Sequence, residues 1–163
     1  MTSRIASRTD AAAIARIYNQ GIEERTATFE TQPRTEDDVL RWFDGAHPIV
    51  VVKDPAIVAF AATFPYRSRA CYAGIAEVSV YVDRACRKRG AGRLALSELI
   101  QACEAAGFWK LVSRVFPENS GSRALIASLG FREVGTYEKH GRLDGVWRDV
   151  IIVERLIPAN LRQ

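Results

Sequence analysis

One stretch of the chain, residues 77–92, combines the pattern of a β-strand with that of an anion-binding turn. In Glu77–Val82 three valines at every second position alternate with Ser and Tyr, which is typical of a strand that buries one face. Three cations, Arg87–Arg89, then lead into Gly90–Gly92 and a helical pattern. Glycines let a backbone approach a ligand closely, and the first amides of a helix are free donors at the positive end of its dipole. The order predicts a diphosphate-binding turn, with a solvated cationic turn as the alternative.

Composition is that of an ordinary globular protein. A length of 163 residues predicts one domain, residues 1–163, and the 48% share of hydrophobic residues is enough for a sizeable core. No segment has the roughly 20 apolar residues of a membrane span, and the start lacks the apolar centre of a signal peptide, so we expect a cytoplasmic protein without membrane partners. Cys71, Cys86 and Cys103 lack metal-type spacing and predict reduced thiols and no metal site. The net charge of +4 comes without a recognition motif, so no nucleic-acid partner is expected.

Hydrophobic periodicity along the chain predicts alternating layers of strands and helices. The expected order is strand, two helices, three strands, helix, strand, helix and two strands, which is an α/β fold with a mixed central sheet of about seven strands flanked by about four helices. Besides the strand that begins at Glu77, the expected strands are Arg4–Ala6, Ile49–Lys53, Ile57–Tyr66, Lys110–Phe116, Arg132–Lys139 and Val146–Leu156. The helices begin after Thr9 or Asp10, after a Thr35 capping box with Asp38, after Gly92 and after Asn119. His47 and His140 fall in apparent loops, where surface roles are expected.

Several separate motifs resemble one enzyme family. The turn Arg87-x-x-Gly90-x-Gly92 is similar to the acyl-CoA signature of the Gcn5-related N-acetyltransferase (GNAT) superfamily, and the order of elements matches as well. More closely, the chain resembles the phosphinothricin N-acetyltransferase family, which includes enzymes acting on methionine sulfoximine and arsinothricin. The residues that carry this resemblance are Ile17-Tyr18-Asn19, Thr28-Phe29-Glu30, Ala76-Glu77-x-Ser79-Val80-Tyr81-Val82, Pro117-x-Asn119, Leu129-Gly130-Phe131 and Gly145-x-Trp147-x-Asp149-Val150. The resemblance implies a GNAT fold, acetyl-CoA as cofactor and a homodimer.

The cofactor contacts are expected on the central strand and on the turn that follows it. A strand splayed from its neighbour leaves backbone groups of Val80 and Val82 free for the pantetheine arm. The resemblance places the diphosphate on residues 87–92 and later pantetheine contacts near Asn119 and Ser122, although Asn119 is equally explained as a helix cap. The full expected set is Val80, Tyr81, Val82, Arg87, Lys88, Arg89, Gly90, Ala91, Gly92, Arg93, Asn119 and Ser122.

Glu77 is the candidate general base. Acyl transfer needs a neutral amine, yet an α-amino group is largely or partly protonated near neutral pH, so a group must remove that proton directly or through one water. The resemblance agrees, because the family's catalytic glutamate aligns with Glu77. The structural alternative is a carboxylate merely paired with Arg67 or Arg69. Where the phosphinothricin enzymes have a catalytic histidine this chain has Ile126, which leaves the proton donor to the departing thiolate unassigned.

Arg67 and Arg69 indicate an acidic acceptor. They are spaced i, i+2 on an extended connection, and two guanidiniums can bind two acidic groups bidentately. The pair therefore suits an amino acid with an acidic side chain. Together with the resemblance, it leads us to expect direct transfer, in a ternary complex, to the α-amine of an amino-acid analogue such as arsinothricin, phosphinothricin or methionine sulfoximine. The resemblance adds Tyr72 as an acid-binding residue and Phe29, Ser79 and Tyr81 as pocket lining. For Phe29 and Tyr81, packing in the core is the alternative.

Two other classes of function stay open at the level of sequence. Gly90-x-Gly92-x-x-Ala95 fits the glycine fingerprint of a dinucleotide-dependent oxidoreductase, but it does not follow the first strand and lacks an acidic residue about 20 positions later. A non-catalytic acyl-CoA or amino-acid sensor is the other class, since Ile126 is consistent with lost chemistry.

Overall fold

The protein is described by a computed structural model that covers residues 1–162, and it contains one seven-stranded sheet. The strands are β1 (Thr2–Ile5), β2 (Ile49–Lys53), β3 (Ile57–Pro65), β4 (Ile75–Val82), β5 (Lys110–Val115), β6 (Arg132–Leu143) and β7 (Val146–Leu156). The α-helices are α1 (Ala11–Glu24), α2 (Glu36–Leu40), α3 (Ala91–Ala105) and α4 (Ser120–Ser128). The α/β architecture expected from the sequence is confirmed, and β6 extends four residues beyond its predicted end at Lys139.

The sheet is mixed, with strand order β1-β2-β3-β4-β5-β7-β6. Among residues 1–162, only β4 and β5 pair in parallel, and all other neighbouring strands run antiparallel. A dinucleotide fingerprint belongs to the first strand-to-helix turn of a parallel sheet. Here Gly90 follows the fourth strand of a mixed sheet, not the first strand of a parallel one, so the fold does not support the oxidoreductase alternative.

Two hydrophobic cores cover the two faces of this sheet. One core contains Leu96 and Leu99 of α3, and the other contains Ile14 and Ile17 of α1. The consecutive apolar residues of β2 contribute to both cores, because successive side chains of a strand point to opposite faces. Val50 lies in the α3 core and Val51 in the α1 core. A strand that is buried on both sides therefore reads as a continuous apolar run rather than an alternating one.

Polar side chains fix the starts of the first two helices. The capping box predicted for α2 is present, since Thr35 Oγ1 accepts from the Asp38 amide at 3.1 Å and Asp38 Oδ2 accepts from the Thr35 amide at 2.8 Å. Asp10 stands at the start of α1 as predicted, but its side chain does not cap the helix. It accepts instead from the Arg4 guanidinium, at 2.7 and 2.9 Å, and from the Ser7 amide at 2.8 Å. These bonds tie β1 to α1.

Within residues 1–162, no helix combines the length and the hydrophobicity that crossing a membrane requires. The same residues hold no cluster of three or more His, Cys, Asp and Glu side chains arranged as metal ligands. All three cysteines are free thiols. Cys103 lies in the α3 core, and burial raises the pKa of its thiol to about 12. This cysteine is therefore protonated at neutral pH and has a packing role.

The Arg4–Asp10 pair should make stability depend on acid. The hydrogen bond from Arg4, above all, lowers the pKa of the buried Asp10 carboxyl in the folded protein. The folded state then binds fewer protons than the unfolded chain, so the stabilisation is present above the unfolded pKa of about 3.9 and is lost as the pH falls through the folded value. We expect Asp10→Asn to lower the free energy of unfolding by about 1 to 3 kcal/mol at pH 7, and by progressively less below about pH 4.

Urea unfolding from pH 7 to pH 3 measures this difference. Asp37→Asn is the matched control, because Asp37 is exposed in the first turn of α2 and its replacement should change stability by less than about 0.5 kcal/mol. If the free energies of unfolding of wild type and Asp10→Asn differed by a constant amount over this pH range, the proposed dependence on the protonation of Asp10 would be contradicted.

Candidate functional site

The central feature of the site is the point where β4 and β5 part. Their parallel pairing covers only three residues of each strand and ends at Glu77 and Val112, while β4 stays paired with β3 as far as Val82. Ser113 Oγ donates to the carbonyl of Val78 at 2.8 Å and so closes the narrow end of the gap. Backbone groups of every second residue in a strand point to the same side. The carbonyl of Val78 faces β5, so the backbone groups of Val80 and Val82 face the open gap as well.

Glu77 stands at the last paired position of β4 and lines a cavity beside the gap. Its side chain is one-third exposed, and its Oε1 lies 3.6 Å from a guanidinium nitrogen of Arg114 on β5. This separation exceeds hydrogen-bond length, so the contact is electrostatic. The sequence offered Arg67 or Arg69 as ion-pair partners, and in the described residues Arg114 is the partner instead.

The cavity has a volume of about 610 Å³ and lies on the α1 side of the sheet. Five of the residues expected to bind the acceptor line it: Phe29, Arg67, Glu77, Ser79 and Tyr81. Arg69 and Tyr72 are not part of this lining. Arg69 is exposed, and the Tyr72 ring packs edge-on against Tyr66 at 5.8 Å. The structure therefore separates the two arginines that the sequence placed together.

The aromatic residues Phe29 and Tyr81 both line the cavity and pack in the core. The Tyr81 ring lies 5.0 Å from Tyr18 and 5.5 Å from Phe60, and burial raises the pKa of its hydroxyl well above the usual range. Phe29 meets Phe116 edge-on at 4.9 Å. The two interpretations offered for these residues are thus compatible, since packed aromatic rings form the rigid wall of the cavity.

Sequence reasoning missed several lining residues. They are Tyr18, Tyr66, Arg114, Phe116, Tyr137 and His140. Arg114 carried a usable signal, because it is a charged residue at a position that shares a face with the apolar residues Val112 and Phe116. Tyr18 belongs to one of the motifs that carry the resemblance. No local signal marked the others, because tertiary packing brings their segments to the cavity.

His140 reaches the cavity through a bulge in β6. Tyr137 pairs with Val150, and Gly141 pairs with Arg148. The three residues between Tyr137 and Gly141 therefore lie opposite a single residue of β7, Asp149. Lys139, inside the bulge, has a positive φ of 48°, and its amide donates to Asp149 Oδ1 at 2.7 Å. In a regular strand residues three apart point to opposite faces, but here the rings of Tyr137 and His140 lie 4.6 Å apart and line the same cavity. The expectation of a loop at His140 was therefore wrong.

The turn after β4 has the form expected of an anion-binding turn. Gly90 has a φ of +88° and precedes α3, and a Cβ built on it would meet nothing within 4 Å, so the space around it is open. Gly92 differs, since its Cβ would come within 3.1 Å of Val82 and 3.4 Å of Leu125. Gly90 therefore provides backbone conformation and access, whereas Gly92 allows α3 to pack closely against β4.

The cations of this turn have different partners. Arg87 forms a two-pronged pair with Glu24 at the end of α1, one bond measuring 2.7 Å, which raises the pKa of Arg87 and lowers that of Glu24. Arg93 donates to Ser128 Oγ at 2.8 Å. Lys88 and Arg89 are exposed beside Gly90. One of the predicted diphosphate ligands is thus engaged with a carboxylate that ties the turn to α1.

On α4, the positions singled out by sequence serve mainly local structure. Asn119 Oδ1 accepts from the Ser122 amide at 3.2 Å, which is the helix-cap interpretation, and its Nδ2 donates to the carbonyl of Thr26 at 3.3 Å. Ser122 is half-buried in the first turn. Ile126 is buried in the α3 core and supplies packing, not proton transfer.

Comparisons with known proteins agree on one family. A family model described as acetyltransferase (GNAT) family matches residues 14–131. The phosphinothricin N-acetyltransferase of Streptomyces coelicolor is 33% identical over 147 residues, covering 85% of this chain and 86% of the relative. The L-methionine sulfoximine/L-methionine sulfone acetyltransferase of Salmonella typhimurium is 30% identical, covering 94% and 93%. A phosphinothricin acetyltransferase from Sinorhizobium meliloti, solved in complex with acetyl-CoA, superposes with a TM-score of 0.88 at 29% identity, covering 96% of this chain and 88% of that one.

The close approach of the bulge to the cavity wall gives a test of the site's packing. A Cβ on Gly141 would come within 2.8 Å of the Phe29 ring. We expect Gly141→Ala to push Phe29 away from Phe116 and to lower the free energy of unfolding by about 1 to 3 kcal/mol. Gly135→Ala is the matched control in the same strand, since its Cβ would meet nothing within 4 Å and no loss is expected. Denaturant unfolding compares the two variants, and an equal effect on both would show that Phe29 is not tightly held.

Proposed function

The chain belongs to the GNAT acetyltransferase family, and from that premise we propose that it transfers an acetyl group to the α-amine of an acidic amino-acid analogue. The acceptor is of the phosphinothricin, methionine sulfoximine or arsinothricin type. The observation that carries this proposal is the position of Glu77, which lines the cavity at the point where β4 and β5 part. The named activities of relatives at 30 to 33% identity support the substrate class.

The cofactor of this acetyltransferase is acetyl-CoA, which supplies the acetyl group as a thioester. The backbone edge of Val80 and Val82 faces the gap between the strands and offers hydrogen bonds to the pantetheine arm. The first amides of α3 have no partner within the helix, and the space at Gly90 is open, so the turn suits a diphosphate. The residues proposed to hold the cofactor are those expected from the sequence, Val80 to Val82, Arg87 to Arg93, Asn119 and Ser122.

Glu77 is the proposed general base. Its carboxylate takes the proton from the acceptor's ammonium group, directly or through one water, and leaves the amine able to attack. Partial exposure and the loose contact with Arg114 leave its oxygens accessible from the cavity. The acceptor enters the cavity on the α1 side while the cofactor lies along the gap. Both reactants can therefore meet at Glu77, which supports direct transfer in a ternary complex without an acetylated enzyme.

The acceptor is proposed to lie against Phe29, Ser79 and Tyr81, with an acidic group on Arg67. Arg67 lines the cavity and forms no ion pair within residues 1–162; its guanidinium stacks 5.0 Å from the centre of the Tyr66 ring. A guanidinium with free donors binds carboxylate, phosphinate or arsinate oxygens bidentately. The Ser79 hydroxyl adds a polar group on the same face of β4 as Glu77.

We propose a homodimer located in the cytoplasm. Strand β6 is at the edge of the sheet, and several large apolar side chains on β6 and β7 are about half exposed: Val134, Tyr137, Val146 and Trp147. A long exposed edge strand with apolar residues favours pairing with another chain. The three free cysteines fit a reducing compartment.

The oligomeric state can be measured directly. We expect the protein to sediment as a dimer, and Trp147→Asp to shift it towards monomer, because the exposed indole would be replaced by a charge in the contact. Leu161→Asp is the matched control, since Leu161 is similarly exposed but lies after β7, outside the β6–β7 edge. A monomeric wild type would contradict the dimer.

Replacement of Glu77 tests the catalytic role. We expect Glu77→Gln to lower kcat at neutral pH by roughly 10² to 10⁴-fold, because no group then removes the amine proton, and to leave acetyl-CoA binding unchanged. The deficit should shrink as the pH rises, since the amine then loses its proton to solvent. Release of CoA thiol with phosphinothricin or methionine sulfone as acceptor, followed from pH 6 to pH 10, provides the measurement.

Gly90→Ala is the complementary variant. It forces a Cβ into the left-handed region and disturbs the turn, so we expect acetyl-CoA binding to weaken while kcat at saturating cofactor is retained.

Wild type that binds acetyl-CoA but acetylates no member of a broad amine panel would favour the sensor alternative. An exclusive preference for protein lysines or polyamines would overturn the substrate class.

A further inference from the structure

Two arginines reach the cavity, and they are not the two that follow each other in sequence. Arg67 comes from the connection between β3 and β4, and Arg114 comes from β5, whereas Arg69 is outside the lining. We propose that Arg114 is the second acid-binding residue of the acceptor pocket and selects acceptors with an anionic side chain. This inference rests on the proposed function and assigns the specificity of the same site.

The donors of Arg114 are available to a ligand. Within the part of the chain that the structure describes, Arg114 donates no hydrogen bond to a protein acceptor, and its one charged contact is Glu77 at 3.6 Å. Arg123 and Arg132 of neighbouring elements show the contrast, since each donates to a glutamate at 2.8 to 2.9 Å through its Nε. The Arg114 side chain is half exposed, so turning it towards a ligand costs little.

The position of Arg114 on β5 is unusual for a surface cation. Val112 and Phe116 lie on the same face as Arg114 and line the same cavity. Ile152, the residue of β7 that pairs with Arg114, lines the cavity too. The half-exposed Arg114 side chain therefore lines the cavity beside these apolar residues, with a guanidinium nitrogen 3.6 Å from Glu77. Packing does not require a cation at this position, but recognition of an anion does, because oxygen pairs of an acid match the fork of a guanidinium.

The contact with Glu77 links acceptor binding to the proposed base. Arg114 can serve Glu77 or an acidic group of the acceptor, because the loose ion pair holds neither side chain in a fixed hydrogen bond. An acid bound to Arg114 draws the cation away from Glu77 and brings the acceptor's amine near the same carboxylate. Arg67 then binds the other acidic group. The two acids are therefore bound by two arginines that belong to different elements of the fold.

The test compares an acceptor with an anionic side chain, phosphinothricin, with one whose side chain is uncharged, methionine sulfone. We expect Arg114→Gln to lower kcat/KM for phosphinothricin by about 10- to 100-fold, the usual loss for a charge-assisted hydrogen bond, and for methionine sulfone by less than about 3-fold. Arg114→Lys should restore part of the loss, since it keeps the charge without the fork. Arg41→Gln is the matched control, because it removes an exposed cation of the segment after α2 that does not line the cavity.

Arg69→Gln separates this assignment from the pair expected from the sequence. A selective loss in Arg69→Gln and none in Arg114→Gln would overturn the proposal, as would an equal loss for both acceptors in Arg114→Gln. Calorimetric titration of phosphinothricin in the presence of CoA keeps this result independent of turnover. Wild type that binds phosphinothricin through Arg114 but does not acetylate it would refute the proposed function alone, whereas wild type that binds no phosphinothricin would refute the assignment of Arg114.

Discussion

The structure depends on one interrupted strand pairing. β4 and β5 are joined in parallel over three residue pairs and then separate, with Ser113 bonded to the Val78 carbonyl at the point of divergence. A backbone edge buried without partners is costly, so a gap in a sheet persists where a ligand can supply the missing hydrogen bonds. The same divergence places Glu77 beside an opening on the α1 face. The proposed cofactor groove and the proposed base therefore depend on one feature of the sheet, and the antiparallel pairs on either side hold that feature in place.

Most of the fold could be predicted from the sequence because its signals are local. The Thr35 capping box, the hairpin around Asp54 and the left-handed Gly130 after α4 depend on residues close together in the chain. The turn at Gly90, which is expected to bind an anion, is local as well. The acceptor side of the site depends on distant segments. Arg69 follows Arg67 by two residues yet leaves the cavity, and no short-range pattern could show which strand lies opposite.

The bulge in β6 shows why register is difficult to predict. Two extra residues between Tyr137 and Gly141 bring His140 to the face on which Tyr137 lies, and strict alternation would have assigned the opposite face. The hydrogen bond from the Lys139 amide to Asp149 holds the bulge, but a single Asp in a neighbouring strand has many other uses. Trp147-x-Asp149 is part of a motif that carries the family resemblance. The effect of Asp149 on β6 follows only from the pairing of β6 with β7.

The charges around the site are distributed so that each reacting region keeps a cation with free donors. Glu24 binds Arg87 and Glu23 binds Arg84 at 2.6 Å, and these pairs fasten the turn to α1. Lys88 and Arg89 remain exposed next to the open space at Gly90, where the proposed diphosphate site lies. On the other side of the gap, the one polar contact of Arg114 within residues 1–162 is the 3.6 Å contact with Glu77. A tight ion pair there would occupy the oxygens that a general base needs, and an uncharged residue would leave an acidic acceptor without a partner. A loose pair meets both requirements of the proposed site. Glu77 can give up Arg114 for the ammonium group of the acceptor, and Arg114 can give up Glu77 for the acceptor's acidic group.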